Sequence, residues 1–524
     1  MQTQRSLDEF RNEPFTDFSV QKNAEAMRTA LIRVQSELGK EYPMIINGEH
    51  IRLDAKFESI NPANKTEIVG VFSEADTDAE NLVEKAIEAA ANAFKIWKQV
   101  SPADRAEYLF KAAAIIRDRK HYFSAWMVFE TAKTWAEADG DTAEAIDFLE
   151  FYGREMLRWT EPQPITPSPF QENNSFEYIP LGVGAIIPPW NFPLAIMVGM
   201  TTAAIVAGNT VVLKPSSDSP TIATKFVEVL EEIGLPAGVV NFVTGSADTG
   251  NAMVVHPQTR FISFTGSKQV GLHINEQAAK SREGQIWIKR VVAEMGGKDA
   301  IIVCDDADLD SAATGIVQAA FGFQGQKCSA CSRLIVDEKV HGALMEKVVK
   351  LTKELKIGQP TEGDTNVAAV INKRSFDKTL EYIKKGQEEG GTVLTGGAGD
   401  DENGFYIEPT IIDNVEAGAT VEQEEIFAPV LAVIKARDFD HALEIANGTE
   451  FGLTGAVYST SQANLVRAKR EFHVGNLYLN RKCTGALVGV NPFGGFNMSG
   501  TDSKAGGREY LLQFMQGKSI AQKI

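Results

Sequence analysis

The stretch VGAIIPPWNFPLAIMVGMTTAAIVAGNTVVLKPSSDSPTIATKFVEVLEEIGLPAGVVNFVTGSADTGNAMVVHPQTRFISFTGS, residues 183–267, decides the fold. Short apolar runs (VGAIIP, TVVLKP, VVNFVTG, FISFTGS) alternate with helical segments (LAIMVGMTTAAIVAG, TIATKFVEVLEEIG). Strand and amphipathic helix in alternation predict a parallel, doubly wound α/β sheet. The span Tyr178–Leu213 carries no charge and is long enough to cross a bilayer. Pro188, Pro189 and Pro193 break its first half and Gly208-Asn209 its second, so it reads as strand, loop, buried helix and strand.

Downstream, a second alternating series runs from AIIVCDDA (300–307) through RLIVDEKV, TVLTGG and VLAVIKA to about YLNRKC (478–483), which implies two α/β domains in tandem. Upstream, Leu82, Val83, Ile87, Ala90, Ala91 and Phe94 fall at helical spacing, and similar helices through about Tyr152 make the first third largely helical. Pro162, Pro164, Pro167 and Pro169 turn the run from about Arg154 to Tyr178 into an extended arm or edge strand. The glycine-rich NPFGGFNMSGTDSKAGG (491–507) precedes a short helix and a tail.

The chain has 524 residues, 44% hydrophobic and 23% charged, the balance of a soluble globular protein. Its 52 basic and 70 acidic residues leave a net charge of −18, which argues against nucleic acid and anionic membrane as partners. The four cysteines are too few for a disulfide framework, and the N-terminus MQTQRSLDEFRNEPFTDF has no apolar leader. A reduced, cytoplasmic location is the expectation. The seven histidines lie at no metal-ligand spacing, so no metal site is expected.

No GxGxxG fingerprint is present, but two other glycine turns follow strands: Gly245–Gly250 after VVNFVT and Gly266–Gly271 after FISFT. Each opens a helix whose first amides can hold a pyrophosphate. Lys214, closing TVVLKP, stands where the loops of an open sheet meet ligands. GGKD (296–299) lacks the upstream glycine and the following Ser or Thr of a P-loop.

Cys328 lies in FGFQGQKCSACSR, where Gly322 and Gly325 permit unusual backbone angles and Lys327 places positive charge nearby, conditions that favour a thiolate nucleophile. Cys331 completes a CxxC that oxidation could close if the loop moves. Cys304, at the end of AIIV, reads as a small buried hydrophobe. Asn191 in PPWNFPL offers an uncharged donor to a developing oxyanion. Glu294 in AEMGG is a carboxylate beside two glycines that allow a ligand close approach.

The motifs PPWNFPL, TVVLKP, FTGS, AEMGGK, QGQKCSACSR, EEIFAPV and NPFGGFNMSG occur in the order and approximate spacing of the aldehyde dehydrogenase superfamily, and the chain resembles it over nearly its whole length. Within it, EPFTDF, EAIDFLEFY, FGFQGQKCSACSR and CTGALVGVNPFGGFNMSGTDSKAGG are most similar to the members that oxidise L-glutamate γ-semialdehyde. The resemblance implies two Rossmann-like domains and a small β-rich oligomerisation flap. Residues 1–157 and 178–293 would form the dinucleotide-binding domain, 294–485 the catalytic domain, and 158–177 with 486–524 the flap of a homo-oligomer, at least a dimer.

The resemblance also implies residue roles. Cys328 would attack the aldehyde, Asn191 and the Cys328 amide would hold the oxyanion, and Glu294 would activate water to hydrolyse the thioester. Ile187, Pro189, Trp190, Lys214, Ser217, Gly245, Gly250, Phe264, Gly266, Ser267, Glu425 and Phe427 would hold NAD, Glu425 through the nicotinamide ribose. Lys327, Ser329, Gly485 and Ala486 would bind substrate, Ser329 and the Gly485-Ala486 loop at its α-carboxylate, with Phe192 and Phe493 along its aliphatic stem. Ser217 stands where many strictly NAD-dependent relatives have a glutamate, so NAD is expected to be preferred and NADP to be accepted. The alternatives are another carboxylated semialdehyde dehydrogenase and a catalytically silent structural relative.

Overall fold

The computed structural model describes residues 8–524, and the first seven residues lie outside it. The alternation read from 183–267 is observed element by element. Strands Val183–Ile187, Thr210–Leu213, Val240–Phe242 and Thr259–Thr265 are separated by helices Ala195–Val206, Pro220–Glu232 and Ala247–Val255. Helix Lys268–Ala279 then leads to strand Arg290–Glu294. These strands are parallel and lie in the order Arg290–Glu294, Thr259–Thr265, Val183–Ile187, Thr210–Leu213, Val240–Phe242. Their carboxyl ends carry Pro188–Phe192, Lys214, Gly245, Gly266 and Glu294 to one edge, where ligands of open α/β sheets bind.

Helix Ala195–Val206 is the buried helix read from the uncharged span. It is buried on nearly all sides, packing between its own sheet and helix Trp135–Trp159, because its sequence has no polar face beyond Thr201 and Thr202. Asp141 of the long helix accepts the Ala195 amide at 2.7 Å and satisfies a donor that the chain left without a partner at the helix start.

The first third is not purely helical. Strands Lys40–Tyr42, Lys56–Asn61 and Asn64–Ser73 make a separate sheet, and Met44–Ile46 with Glu49–Ile51 adds an antiparallel hairpin to the far edge of the dinucleotide-type sheet. Asn47 and Gly48 turn that hairpin with φ of +54° and +77°, the pair of left-handed residues that a tight two-residue turn demands.

A second seven-stranded sheet takes strands in the order Thr392–Thr395, Thr410–Asp413, Val430–Ala436, Cys331–Asp337, Asp299–Val303, Thr454–Tyr458, Asn476–Leu479. Only the Thr392–Thr395 edge is antiparallel. Cys328 stands just before its central strand Cys331–Asp337, and Glu294 is separated from Asp299 by only Met295–Lys298. The two sheets therefore bring a strand end and a strand beginning to the same place. The arm begins later than expected: helix Trp135–Trp159 continues through Arg154, and the extended strand is Glu172–Pro180, which pairs antiparallel with Met515–Lys523.

Candidate active site

Asn191 is 4% exposed, and its side-chain amide donates to the Gln326 carbonyl at 3.0 Å. This bond ties the Pro188–Pro193 loop to the loop of Cys328. The Cys328 loop is itself sharply bent: Phe323, Gln324 and Gly325 have φ of +48°, +56° and +65°. Gln324 Nε2 donates to the carbonyls of Ala132 and Ala369, and Gln326 Oε1 accepts the Ile371 amide, so the bend is fixed by buried bonds. At the other side Gly297 admits the Cys328 carbonyl, which a Cβ there would meet at 2.7 Å.

Burial pushes the Cys328 thiol well above its usual range, and the carboxylates of Asp299, Glu425 and Glu294 add to the effect. Lys327 does not counter it as the sequence suggested, because its ammonium is paired with Glu137 at 2.7 Å. Both effects favour the thiol over the thiolate. Glu294, at the end of its strand and 9% exposed, is pushed up to about 8 by burial, against the pull of two hydrogen bonds from Ser503. Its Oε1 accepts from the Ser503 hydroxyl, while Oε2 is buried without a partner.

The cofactor candidates line the carboxyl edge of the first sheet. Lys214 is buried; its ammonium donates to the carbonyls of Pro215 (3.1 Å) and Gly245 (2.9 Å), and burial lowers it to about 8. Ser217 donates to the same Gly245 carbonyl at 3.3 Å, and Gly250 leaves room for the Lys214 stem, which a Cβ would meet at 3.3 Å. The two glycine turns are not equivalent. Asp76 accepts from the amides of Ser246 and Thr249 and from both hydroxyls, so the first turn already holds a carboxylate of this chain. At the second turn Ser267 caps helix Lys268–Ala279 by accepting the Val270 amide, and Gly266 presses on Phe264. The amides of Lys268 and Gln269 have no intrahelical acceptor and remain for an anion.

Glu425 reaches across from the second sheet, its carboxylate accepting the Gly297 amide at 3.1 Å and Lys378 holding its backbone carbonyl at 2.8 Å. Two residues on, Phe427 has a φ of +64°, and its ring meets Trp190 edge to face at 5.5 Å. Trp190 also touches Phe323, as does Phe192, each at 6.4 Å between ring centroids. Ile187 and Pro189 are half-buried in the same loop.

The substrate candidates converge from three segments. The Ser329 carbonyl accepts from the Cys483 thiol at 3.4 Å, which ties the residue after Cys328 to the segment that leads into Gly485 and Ala486. Gly485 has a φ of +82°, and Arg481 donates to the carbonyls of Thr484 and Gly485. Phe493 is fixed by a pair of backbone bonds with Ala505 at 2.8 and 2.7 Å. Cys331 is buried, and its thiol donates to the Arg333 carbonyl at 3.5 Å. All four cysteines are free.

Several residues of this neighbourhood gave no sign in the sequence. Lys133 is fully buried, 3.5 Å from Asp141, with its ammonium 4.1 Å from the Phe192 ring centroid and 3.8 Å from that of Phe323. Glu137, Asp141 and Ser503 join it only through the fold. Among the described residues no group of His, Cys, Asp and Glu could hold a metal, and no helix is long and apolar enough to cross a membrane.

A half-buried thiol, an amide donor, a partnerless carboxylate oxygen and a nucleotide-type sheet edge are the parts of an enzyme that oxidises a carbonyl through a covalent intermediate. Residues 51–520 match the aldehyde dehydrogenase family, and the chain belongs to it. Over 514 residues it is 58% identical to the 1-pyrroline-5-carboxylate dehydrogenase of Geobacillus kaustophilus (strain HTA426), with 98% of this chain and 99% of that one covered. A 1-pyrroline-5-carboxylate dehydrogenase from Thermus, solved with bound NAD, superposes with a TM-score of 0.96 at 46% identity, covering 99% and 100% of the two chains. An NAD-dependent aldehyde dehydrogenase from Sinorhizobium meliloti gives 0.88 at 31% identity, covering 93% and 96%.

Proposed function

We propose that this protein oxidises L-glutamate γ-semialdehyde, the open form of 1-pyrroline-5-carboxylate, to L-glutamate with NAD, the last oxidation in proline and arginine breakdown. The observation that carries this reading is the Cys483 bond, which ties Ser329, the residue after Cys328, to the segment that leads into Gly485 and Ala486. Backbone amides of a glycine turn bind a carboxylate without a lysine or arginine. Phe192 and Phe493 line the stem between that anchor and the thiol, and Lys327, held by Glu137, stands one residue before the thiol.

NAD fits the chain's residues. The free amides of Lys268 and Gln269, just after the Gly266-Ser267 turn, suit the pyrophosphate, Lys214 and Ser217 the adenine ribose with Gly245 and Gly250 leaving room, and Glu425 the nicotinamide ribose. Phe264, Ile187, Pro189, Trp190 and Phe427 supply apolar walls. Bound there, NAD supplies the hydride acceptor. Cys328 Sγ forms a bond to the aldehyde carbon as the carbonyl electron pair moves to oxygen, and the thiol proton passes to solvent. Asn191 and the Cys328 amide hold that oxyanion, which collapses to a thioester as the hydride departs. Glu294 then takes a proton from water; the oxygen bonds to the carbonyl carbon, the C–S bond breaks, and Cys328 is recovered.

The division into domains and flap follows from this assignment. The strand pair Glu172–Pro180 and Met515–Lys523 projects as the oligomerisation flap of at least a dimer, and Ile286 and Ile288, 84% and 88% exposed, suit a second copy of the chain. Four free cysteines suit a reducing cytoplasm.

Two measurements test the reading. Glutamate semialdehyde is expected to exceed pentanal in kcat/KM by at least about tenfold to a hundredfold, the worth of lost charge-assisted hydrogen bonds to a carboxylate. Equal values would exclude the anchor. NADP is expected to be used less well than NAD, because Glu74 and Asp76 both act on Lys214 and place negative charge beside the ribose candidates. Ser217→Glu should lower NADP use further and Glu74→Gln should raise it; an unchanged NADP to NAD ratio in both would put the ribose elsewhere.

A further inference from the structure

Strand Arg290–Glu294 is extended by a segment that lies two hundred residues away in sequence. Thr501 donates its amide to the Ala293 carbonyl at 2.9 Å, Met295 donates to Ser499 at 2.8 Å, and Glu294 bridges Gly500. Ser503 follows at once. It is 3% exposed and lies between Asp502 and Lys504, both left-handed with φ of +53°. Two adjacent-but-one non-glycine residues in that region persist only where their surroundings hold them. Here the Lys504 ammonium binds the carbonyls of Gly475 and Gly494 at 2.9 and 2.7 Å and pairs with Asp502 at 3.1 Å. Gly494 leaves the space: a Cβ there would meet Lys504 N at 2.8 Å and Glu294 Oε1 at 2.9 Å.

We infer that Ser503 is a positioning residue for the second half of the reaction: its hydroxyl pins Glu294 Oε1 and leaves Oε2, which has no partner, as the atom that takes the proton from the hydrolytic water. This rests on the role proposed for Glu294. A hydroxyl donated to one oxygen stabilises the carboxylate form against burial, so Ser503 also sets the pH at which the base is available. The other charged or titratable groups facing Glu294 are Asp502 and Lys504 on the same segment, Tyr510 on the following turn and Cys328 on its loop. None of them changes in the test.

The test is Ser503→Ala in the full chain with NAD and glutamate semialdehyde, reading the pre-steady-state NADH burst and the steady-state rate from pH 6 to 10. The burst should keep its rate. The acid limb of the steady-state profile should move up by half a unit or more, which below the limb is about a threefold loss, and Ser503→Thr should return it. NAD binding checks that each variant folds. A limb that stays in place in Ser503→Ala, or a burst and steady-state rate that fall together, would overturn the inference. No NADH at all from the unaltered enzyme with glutamate semialdehyde would overturn the functional reading itself, and is told apart from the first two because it appears without any substitution.

Discussion

A Glu294→Gln enzyme is expected to form about one equivalent of NADH per Cys328 and then stall as an acyl-enzyme. Removing the general base should lower the steady-state rate by about 10² to 10⁴-fold. The first half-reaction survives for an electrostatic reason: Glu294 is one of four carboxylates that raise the Cys328 thiol, and the amide removes the charge that Glu294 carries once its base form is populated, above about pH 8. Thiolate formation becomes easier while water loses its base. Quenched samples should show a mass increase on Cys328 equal to the glutamyl group, and Cys328→Ala should bind NAD with no burst. Absence of a burst in Glu294→Gln would mean that the carboxylate also deprotonates the thiol. A normal steady-state rate would mean that another residue activates the water.

The second large effect belongs to Asn191. Asn191→Ala should slow the burst itself by about a hundredfold to a thousandfold, the usual cost of one lost oxyanion donor. The same change removes the bond to the Gln326 carbonyl, worth only about 1 kcal/mol to stability. Activity and folding therefore separate: the burst rate collapses while Tm barely moves. Asn191→Asp should be no better, since a buried carboxylate would face the developing negative charge. If Asn191→Ala kept the burst rate and lost only stability, the residue would be a loop tie and nothing more.

The pH profile of the steady state follows from the Glu294 value. Its carboxyl is raised to about 8, chiefly by burial, so the base form is scarce at neutral pH. Turnover limited by hydrolysis should rise through about pH 8, whereas the burst should not follow the same limb.

What could be read in advance differed from residue to residue. Alternating apolar runs carried both sheets, because strands buried on two faces must be short and apolar whatever their neighbours. The hairpin at Met44–Ile51 was missed although Asn47-Gly48 announces it, since the helical periodicity just downstream dominated the reading of the first third. Lys327 shows why composition near a nucleophile misleads: its charge is spent on Glu137, a residue on another helix. The pyrophosphate candidates also looked alike in sequence, and only the fold brings Asp76 to fill one of them. Ser503, Lys133 and Asp141 carry no local signal at all, because each matters through a partner that is far away in the chain or is defined only by packing.

The pairing of Ser499–Thr501 with strand Arg290–Glu294 has a bearing on biosynthesis. Cys328 and the nucleotide edge emerge from the ribosome well before residue 499, and the seat of Glu294 emerges after both. A chain interrupted between them would also lack Tyr510, Leu511, Phe514 and Met515 of the main core, so neither half of the proposed reaction is expected before translation is complete.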